Sequence, residues 1–278
     1  MAGRPAITSA RSTRVVAARR LATRAFRTKQ GLFLAEGPQA VREAAAHPGG
    51  IAELYFSAAA SDRHPEIIEA AYAAGADLLP ATDEVIASLS DTVHPQGMVA
   101  VCHRLDTTLS DALSPSARLV VLLAHVRDPG NVGSVIRAAD AAGADAVLVS
   151  DESVDVYNPK AVRSSAGSLF HLPIVVGVTL GAALERCRAA GLRILAADGT
   201  GPLDLDDEAD SGALRAPSCW IFGNEAWGLP DAIRDQADVV VRVPIHGKAE
   251  SLNLSTAAAV CLYASARAQR RTGGSPQP

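Results

Sequence analysis

The sequence predicts an α/β protein whose C-terminal half is a parallel sheet covered by helices on both faces, preceded by a smaller α/β domain. Two observations carry that prediction. Six short apolar runs, LVVLLA (119–124), DAVLVS (145–150), LPIVVG (172–177), LRILAAD (192–198), SCWIFG (218–223) and VVVRVP (239–244), have helical segments between most of them. Unbroken apolar strands alternating with helices belong to parallel sheets buried on both faces. The stretch Leu105 to Arg118, with Ser110, Ser114, Pro115 and Ser116, then reads as a linker that divides this half from an N-terminal module of ordinary domain size.

Taken in order, Arg11 to Lys29 has helical composition, and Gly31 followed by LFLAEG gives a short strand running into a helix from Pro38 to Ala46. IAELYFS is a strand, Pro65 to Ala74 a helix closed by Gly75, DLLP a short strand, Asp83 to Leu89 a helix and GMVAVCH a strand. In the second half, Val239 to Val243 form a strand that Pro244 stops, because proline lacks an N–H and fixes φ. A polar loop follows to Asn253, and Ser255 is placed as the N-cap of a long Ala-rich helix with Leu262 and Tyr263 for packing. The division expected is 1–30 as a basic segment, 31–104 as the small α/β domain, 105–118 as linker, 119–271 as the sheet domain and 272–278 as tail.

No apolar run approaches the ~20 residues that span a bilayer. The N-terminus also lacks the apolar core of a signal peptide, so no membrane association and a cytoplasmic location are expected. Cys102, Cys187, Cys219 and Cys261 are far apart in sequence, which suits reduced core residues and no metal site. The net charge of −4 hides an asymmetry, since residues 1–30 hold eight basic side chains and the first carboxylate is Glu36. Such a stretch is either a polyanion footprint or a solvated helix face. The acidic cluster Asp204 to Asp210 reads as an exposed loop.

Ligands of parallel sheets sit at the carboxyl ends of the strands. The loops to inspect are therefore Ala124 to Gly133, Ala196 to Gly201, Gly223 to Leu229 and Pro244 to Asn253. None matches G-x-G-x-x-G or G-x-x-x-x-G-K-S/T, which disfavours a nicotinamide enzyme or a nucleoside triphosphatase. In RDPGNVGSVIRAADAAGAD, Asp128-Pro129-Gly130 makes a turn, Asn131 sits where it can cap and the helix ends at Gly143. Arg137 has two readings there: a surface residue paired with Asp140, or a cation aimed at a phosphate or reacting hydroxyl. In IFGNEAWGLP, Gly223 lets a ligand lie against the backbone, Trp227 is a flat wall, and Glu225 is a structural anchor or a chemical group. The last loop sets Leu252 between Ser251 and Asn253, one apolar contact flanked by two polar ones. His246 has no metal-ligand companions.

These blocks, DPGNVGSVIRAADAAG, FGNEAWGLP and VPIHGKAESLNLSTAAAVCLYA, resemble in order and spacing the three motifs of the SpoU/TrmH family of RNA ribose 2′-O-methyltransferases, within the wider SPOUT class. The resemblance covers about Leu119 to Arg271. The N-terminal half is similar to the family's substrate-binding module, a small α/β domain like certain ribosomal proteins, beginning near FLAEGP. Within the family the chain looks most like members acting on large-subunit (23S) ribosomal RNA, including the thiostrepton-resistance type. The resemblance implies a SPOUT-type parallel sheet with a C-terminal deep trefoil knot, a topology that no periodicity proposes. It also implies S-adenosyl-L-methionine bound in the knot, no metal, and a homodimer whose RNA site is shared across the interface. By position it makes Gly223, Val243 and Leu252 cofactor contacts, helped by the backbone at Ala197, Asp198, Gly199 and Ile245. Asn131, Arg137, Glu225, Ser251 and Asn253 match its catalytic and RNA-facing residues.

Methyl transfer to a ribose hydroxyl is an in-line displacement, so positioning and proton removal are the tasks. The resemblance makes Arg137 the activator of the hydroxyl, as a base or otherwise; because a guanidinium is a poor base, the physically easier role is to steady the developing alkoxide while gripping the adjacent phosphate, which could itself take the proton. Arg163 in KAVRSSAGSLF reads as an RNA contact in the partner's site or as a salt-bridged surface residue. Arg19 and Arg20 belong to the basic segment that would grip RNA; DNA is not an expected partner. Competing expectations are the same reaction on transfer RNA and a catalytically silent RNA-binding protein of the same fold. A Rossmann-type oxidoreductase fits the rhythm but lacks the glycine fingerprint.

Overall fold

The computed structural model describes residues 5–224 and 226–270. It divides into two compact units: one runs through Leu105 and includes Asp155–His171, the other is Asp106–Val154 with the chain from Leu172 onward. The first unit is therefore discontinuous, and the sequence pattern gives no sign of it.

The first unit is a four-stranded mixed sheet of β1 (Leu32–Glu36), β2 (Ile51–Phe56), β3 (Asp77–Pro80) and β4 (Met98–His103), in the order β1-β4-β2-β3. The expected helix over 11–29 is two, Thr13–Arg20 and Arg24–Gln30. The Arg27 guanidinium explains the break: it is buried, donates to the carbonyl oxygens of Leu21 and Ala22 at 2.8 Å each, and pairs with Asp155 at 2.7 Å. A buried cation is costly unless paired and hydrogen-bonded, so Arg27 holds the turn 21–23 and Asp155 together. Arg14 is likewise engaged, with Glu53 at 3.2 Å and Asp77 at 2.7 Å. Two of the eight cations of the N-terminal stretch thus serve the fold, and the stretch is a packed pair of helices. The returning segment 155–171 is clamped by rings: Phe33 packs on Tyr157 (4.7 Å between centroids) and on Phe170 (5.9 Å).

The second unit is an all-parallel sheet of seven strands: β5 (Leu119–Leu123), β6 (Ala146–Ser150), β7 (Ile174–Val178), β8 (Arg193–Ala197), β9 (Leu203–Asp204), β10 (Ser218–Phe222) and β11 (Val239–Arg242). Their order is β7-β6-β5-β10-β8-β11-β9. β5, β6 and β10 are buried along their whole length, as strands covered on both faces must be. The stretch 105–118 is not a free tether: Asp106 bridges Ile174, Leu109–Ala112 is a helical turn capped by Thr108, and Leu113 is fully buried. The acidic cluster is not a loop either. Asp204 caps the helix Leu205–Asp210, whose first turn holds Asp206, Asp207 and Glu208, where the helix dipole favours negative charge.

The last helix, Leu254–Arg270, is pinned to the sheet by buried polar contacts. Trp220 Nε1 donates to Ser265 Oγ at 2.8 Å, and Gln269 Nε2 donates to the carbonyl oxygens of Arg118 and Ala216 at 3.0 Å. All four cysteines are buried and free, and burial pushes the Cys261 thiol up to about 12.

Candidate active site

β5 to β7 run outward to one edge of the sheet while β8 begins on the other side, so the strand order reverses beside β5 and β10. A switch point of this kind leaves a crevice at the carboxyl ends of the strands. A cavity of about 710 Å³ lies there, formed by the loops after β8, β10 and β11 and by Asn131 in the helix after β5. Its size falls within the roughly 300–1,000 Å³ typical of small-molecule sites.

The four walls are set by local rules. After β5, Asp128 is the N-cap of Pro129–Ala142 and accepts from the Asn131 N–H at 2.8 Å. Asn131 is thus inside the first turn instead of capping it, and its side chain lines the cavity. After β8, the Asp198 carboxylate accepts from the N–H and hydroxyl of Thr200 at 2.8 and 2.7 Å, folding 198–200 into a tight turn. Arg234 stands 3.9 Å from the same carboxylate.

After β10, Gly223 lines the cavity and is also required by the chain's own fold. A Cβ there would lie 2.4 Å from the Gly228 carbonyl and 2.7 Å from the Leu229 nitrogen. The missing side chain admits the chain's own returning loop, closed by reciprocal bonds between Asn224 and Gly228 at 2.8 and 2.9 Å. Asn224 is the anchor: buried, it donates from Nδ2 to the His125 carbonyl and accepts from Ala226 N–H, both at 2.8 Å. His125, after β5, takes a left-handed backbone (φ 56°), unfavourable for a residue with a Cβ, and its N–H donates to Ser150 Oγ.

After β11, the cap of the last helix is Asn253, not Ser255. Asn253 Oδ1 accepts from Ser255 N–H at 2.9 Å and from Ser255 Oγ at 2.7 Å. That leaves Nδ2 to donate to Asn131 Oδ1 at 3.0 Å, joining two motifs 122 residues apart.

The cavity is lined by Asn131, Ala197, Asp198, Gly199, Gly223, Val243, Ile245, Ser251, Leu252 and Asn253. Ten residues singled out from sequence for cofactor or catalysis therefore meet in one place. Arg137 does not line it; its side chain is exposed on Pro129–Ala142. Glu225 lies outside the described residues. Arg163 belongs to the first unit, where it pairs with Asp91 at 3.1 Å and Glu36 at 3.8 Å. Arg19 and Arg20 are exposed on the first helix of that unit, and the Arg20 guanidinium lies over the Phe26 ring at 5.4 Å. Thr200, Asp231 and Arg234 also line the cavity and carry no motif signal; Glu250 lines it too and lies within the third motif, which assigns it no role. The carboxyl-end rule is the one signal that points to Thr200. Asp231 and Arg234 come from the short helix beyond the β10 loop. Among the described residues, no group of three histidine, cysteine or carboxylate side chains is placed to hold a metal.

A parallel α/β sheet with a polar-and-apolar crevice at its switch point defines a small-molecule-binding enzyme class, and comparison with known proteins makes it specific. The chain matches the SpoU rRNA Methylase family over residues 118–263 and the MRM3-like substrate binding domain over residues 12–100. It is 35% identical over 259 residues to the 23S rRNA (guanosine(2553)-2′-O)-methyltransferase RlmP of Bacillus subtilis, covering 92% of this chain and 97% of that one. The SpoU methyltransferase AviRb from Streptomyces viridochromogenes, in complex with the cofactor AdoMet, superposes with a TM-score of 0.82 at 31% identity, over 95% of this chain and all of that one. An AdoMet-bound rRNA methyltransferase from Sinorhizobium meliloti gives 0.81 at 29% identity, over 95% and 97% of the two chains. The protein belongs to the SpoU rRNA methylase family.

Proposed function

We propose that this protein transfers a methyl group from S-adenosyl-L-methionine to a ribose 2′-hydroxyl of RNA, with 23S ribosomal RNA as substrate. The observation that carries the reading is the meeting of three separated motifs in one crevice, joined by the Asn131–Asn253 bond. The lining suits the cofactor: Phe222, Val243, Ile245 and Leu252 offer apolar contact, while Asp198 and Thr200 offer polar atoms. Bound there, the cofactor supplies an electrophilic methyl carbon on a sulfonium.

The chain's own part is to hold the ribose and manage its proton. Asn131 and Asn253 fix each other's amides at the cavity wall, so a donor and acceptor set is presented without reorganisation. Arg137, exposed outside its own chain's crevice, is assigned to the crevice of a partner copy, where it steadies the developing negative oxygen and grips the neighbouring phosphate, which takes the hydroxyl proton. The C-terminal segment is read as passing through a deep trefoil knot; in support, the chain belongs to the SpoU family and superposes over 95% of its length on a SpoU methyltransferase. The working form is read as a homodimer. Val260 and Tyr263, on one side of the last helix, are exposed apolar groups in need of cover.

The test is incubation with methyl-labelled S-adenosylmethionine and, separately, ribosomal and transfer RNA, followed by nucleotide mapping. Label on a ribose 2′-oxygen of 23S RNA is the expected result. Label on transfer RNA alone moves the substrate, and RNA binding without label removes the catalytic reading.

A further inference from the structure

The two N-terminal helices leave a second, smaller cavity of about 260 Å³ in the first unit, over the sheet residues Leu32, Ala52, Glu53 and Val101. It is below the roughly 300–1,000 Å³ of sites that enclose a drug-sized ligand, so a single ring system fits it better than a whole nucleotide cofactor. Leu21, Leu32 and Val101 give it an apolar floor, and Phe26 and Arg20 both line it, the guanidinium lying over the ring at 5.4 Å. Gln30 adds an exposed amide. Glu53 is held there by Arg14 and by the Tyr55 hydroxyl at 2.9 Å. The two helices bearing the cavity also carry Arg19, Arg24 and Lys29, all exposed and without an acidic partner among the described residues, and the chain has no carboxylate before Glu36.

An aromatic face beside a guanidinium plane, over an apolar floor and within a field of unspent cations, is the chemistry that receives an unpaired base and tracks its phosphates. A structural role alone would not call for Arg24 and Lys29, both exposed, on the short helix that carries the half-buried Phe26. We infer that this cavity binds one unstacked nucleobase of the RNA substrate, with Phe26 and Arg20 as its stacking platform and the exposed cations of the second helix, Arg24 and Lys29, on the flanking phosphates. The inference rests on the RNA-methyltransferase reading, and it places part of substrate recognition at a defined pocket away from the crevice of the second unit.

The stacking and charge contributions separate by salt dependence. Binding of a 23S RNA fragment by the full-length protein is measured across salt concentrations for wild type, Phe26→Ala, Phe26→Trp and Arg24→Ala. Loss of one stacking base contact weakens binding by about tenfold, so Phe26→Ala is expected to do this with the salt slope unchanged. Phe26→Trp should retain wild-type affinity, and its added fluorescence should be quenched by RNA. Arg24→Ala should weaken binding and lower the salt slope by about one. An unchanged thermal unfolding midpoint and far-ultraviolet circular dichroism in every variant report that the first unit is folded, and unchanged affinity for S-adenosylhomocysteine reports the same of the second. Wild-type RNA binding with Phe26→Ala equally tight, or Phe26→Trp unquenched, overturns the pocket alone. Wild-type protein that binds S-adenosylhomocysteine but no RNA overturns the pocket and the substrate reading together.

Discussion

Asn253 serves two functions that a single substitution would confuse. Its Oδ1 caps the last helix while its Nδ2 reaches Asn131, so Asn253→Ala removes both, and loss of the cap alone costs about 1 kcal/mol. Serine caps as well as asparagine but cannot span to Asn131. Asn253→Ser is therefore expected to melt near the wild-type temperature while methyl transfer falls, as read by thermal unfolding beside a methylation assay; full activity would show the Asn131 bond to be dispensable. Gly223 and Gly199 make a second contrast. An added Cβ at 223 meets backbone at 2.4 Å, whereas at 199 it meets nothing within 4 Å. Overpacking of this kind costs about 1–3 kcal/mol, so Gly223→Ala should melt roughly 3–10 °C lower, with Gly199→Ala unshifted. Sequence made both glycines visible as ligand-facing, because a missing Cβ reads alike whether a ligand or the chain's own loop fills the space. The role of Asn224 and His125 escaped for another reason: it is backbone anchoring across about a hundred residues, which no spacing encodes.

At the scale of elements, strands and their order of appearance were legible because apolar runs of fixed length have few other uses. What escaped were elements set by a single polar contact. The break at 21–23 depends on Arg27, which sequence pattern counts as one more surface cation, and the helix at Leu205–Asp210 depends on the Asp204 cap. Most consequential is the return of Asp155–His171 to the first unit, fixed by the Arg27–Asp155 pair and the rings on Phe33. Removing one partner of a buried pair costs about 3–5 kcal/mol. Asp155→Ala should accordingly lower the midpoint of urea unfolding, with the loss carried by the first unit. A fragment ending at Leu105, which lacks Asp155, Tyr157 and Phe170, should show no cooperative unfolding transition; a sharp transition would mean that the returning segment is ornamental.

At the scale of the molecule, the position of Arg137 and the exposed apolar groups raise one question together. Arg137 does not line the crevice of its own chain, although it stands on the helix that supplies Asn131. Among the described residues of the second unit, the exposed large apolar side chains are Trp227 and Ile245, which line the crevice, and Val260 (40% exposed) and Tyr263 (54%) on the last helix. That helix packs on Pro129–Ala142, the Tyr263 hydroxyl donating to the Ala141 carbonyl at 3.4 Å. A second copy seated on this helix pair would cover Val260 and Tyr263 and carry Arg137 into the dimer interface, since isologous contacts bring the same patch of both copies together. Tyr263→Asp is then expected to yield a monomer by light scattering, and that monomer to lose methyl transfer. Complementation decides whether the arginine acts across the interface. Arg137→Ala keeps an intact crevice, and Leu252→Arg blocks the crevice but keeps Arg137. Each alone should be inactive. Unfolded and reassembled together in equal amounts, they should recover about a quarter of wild-type activity, one working site in each mixed dimer, with mixed dimers half the population. Recovery of nothing would place Arg137 in its own chain's site, and the dimer would then serve stability alone.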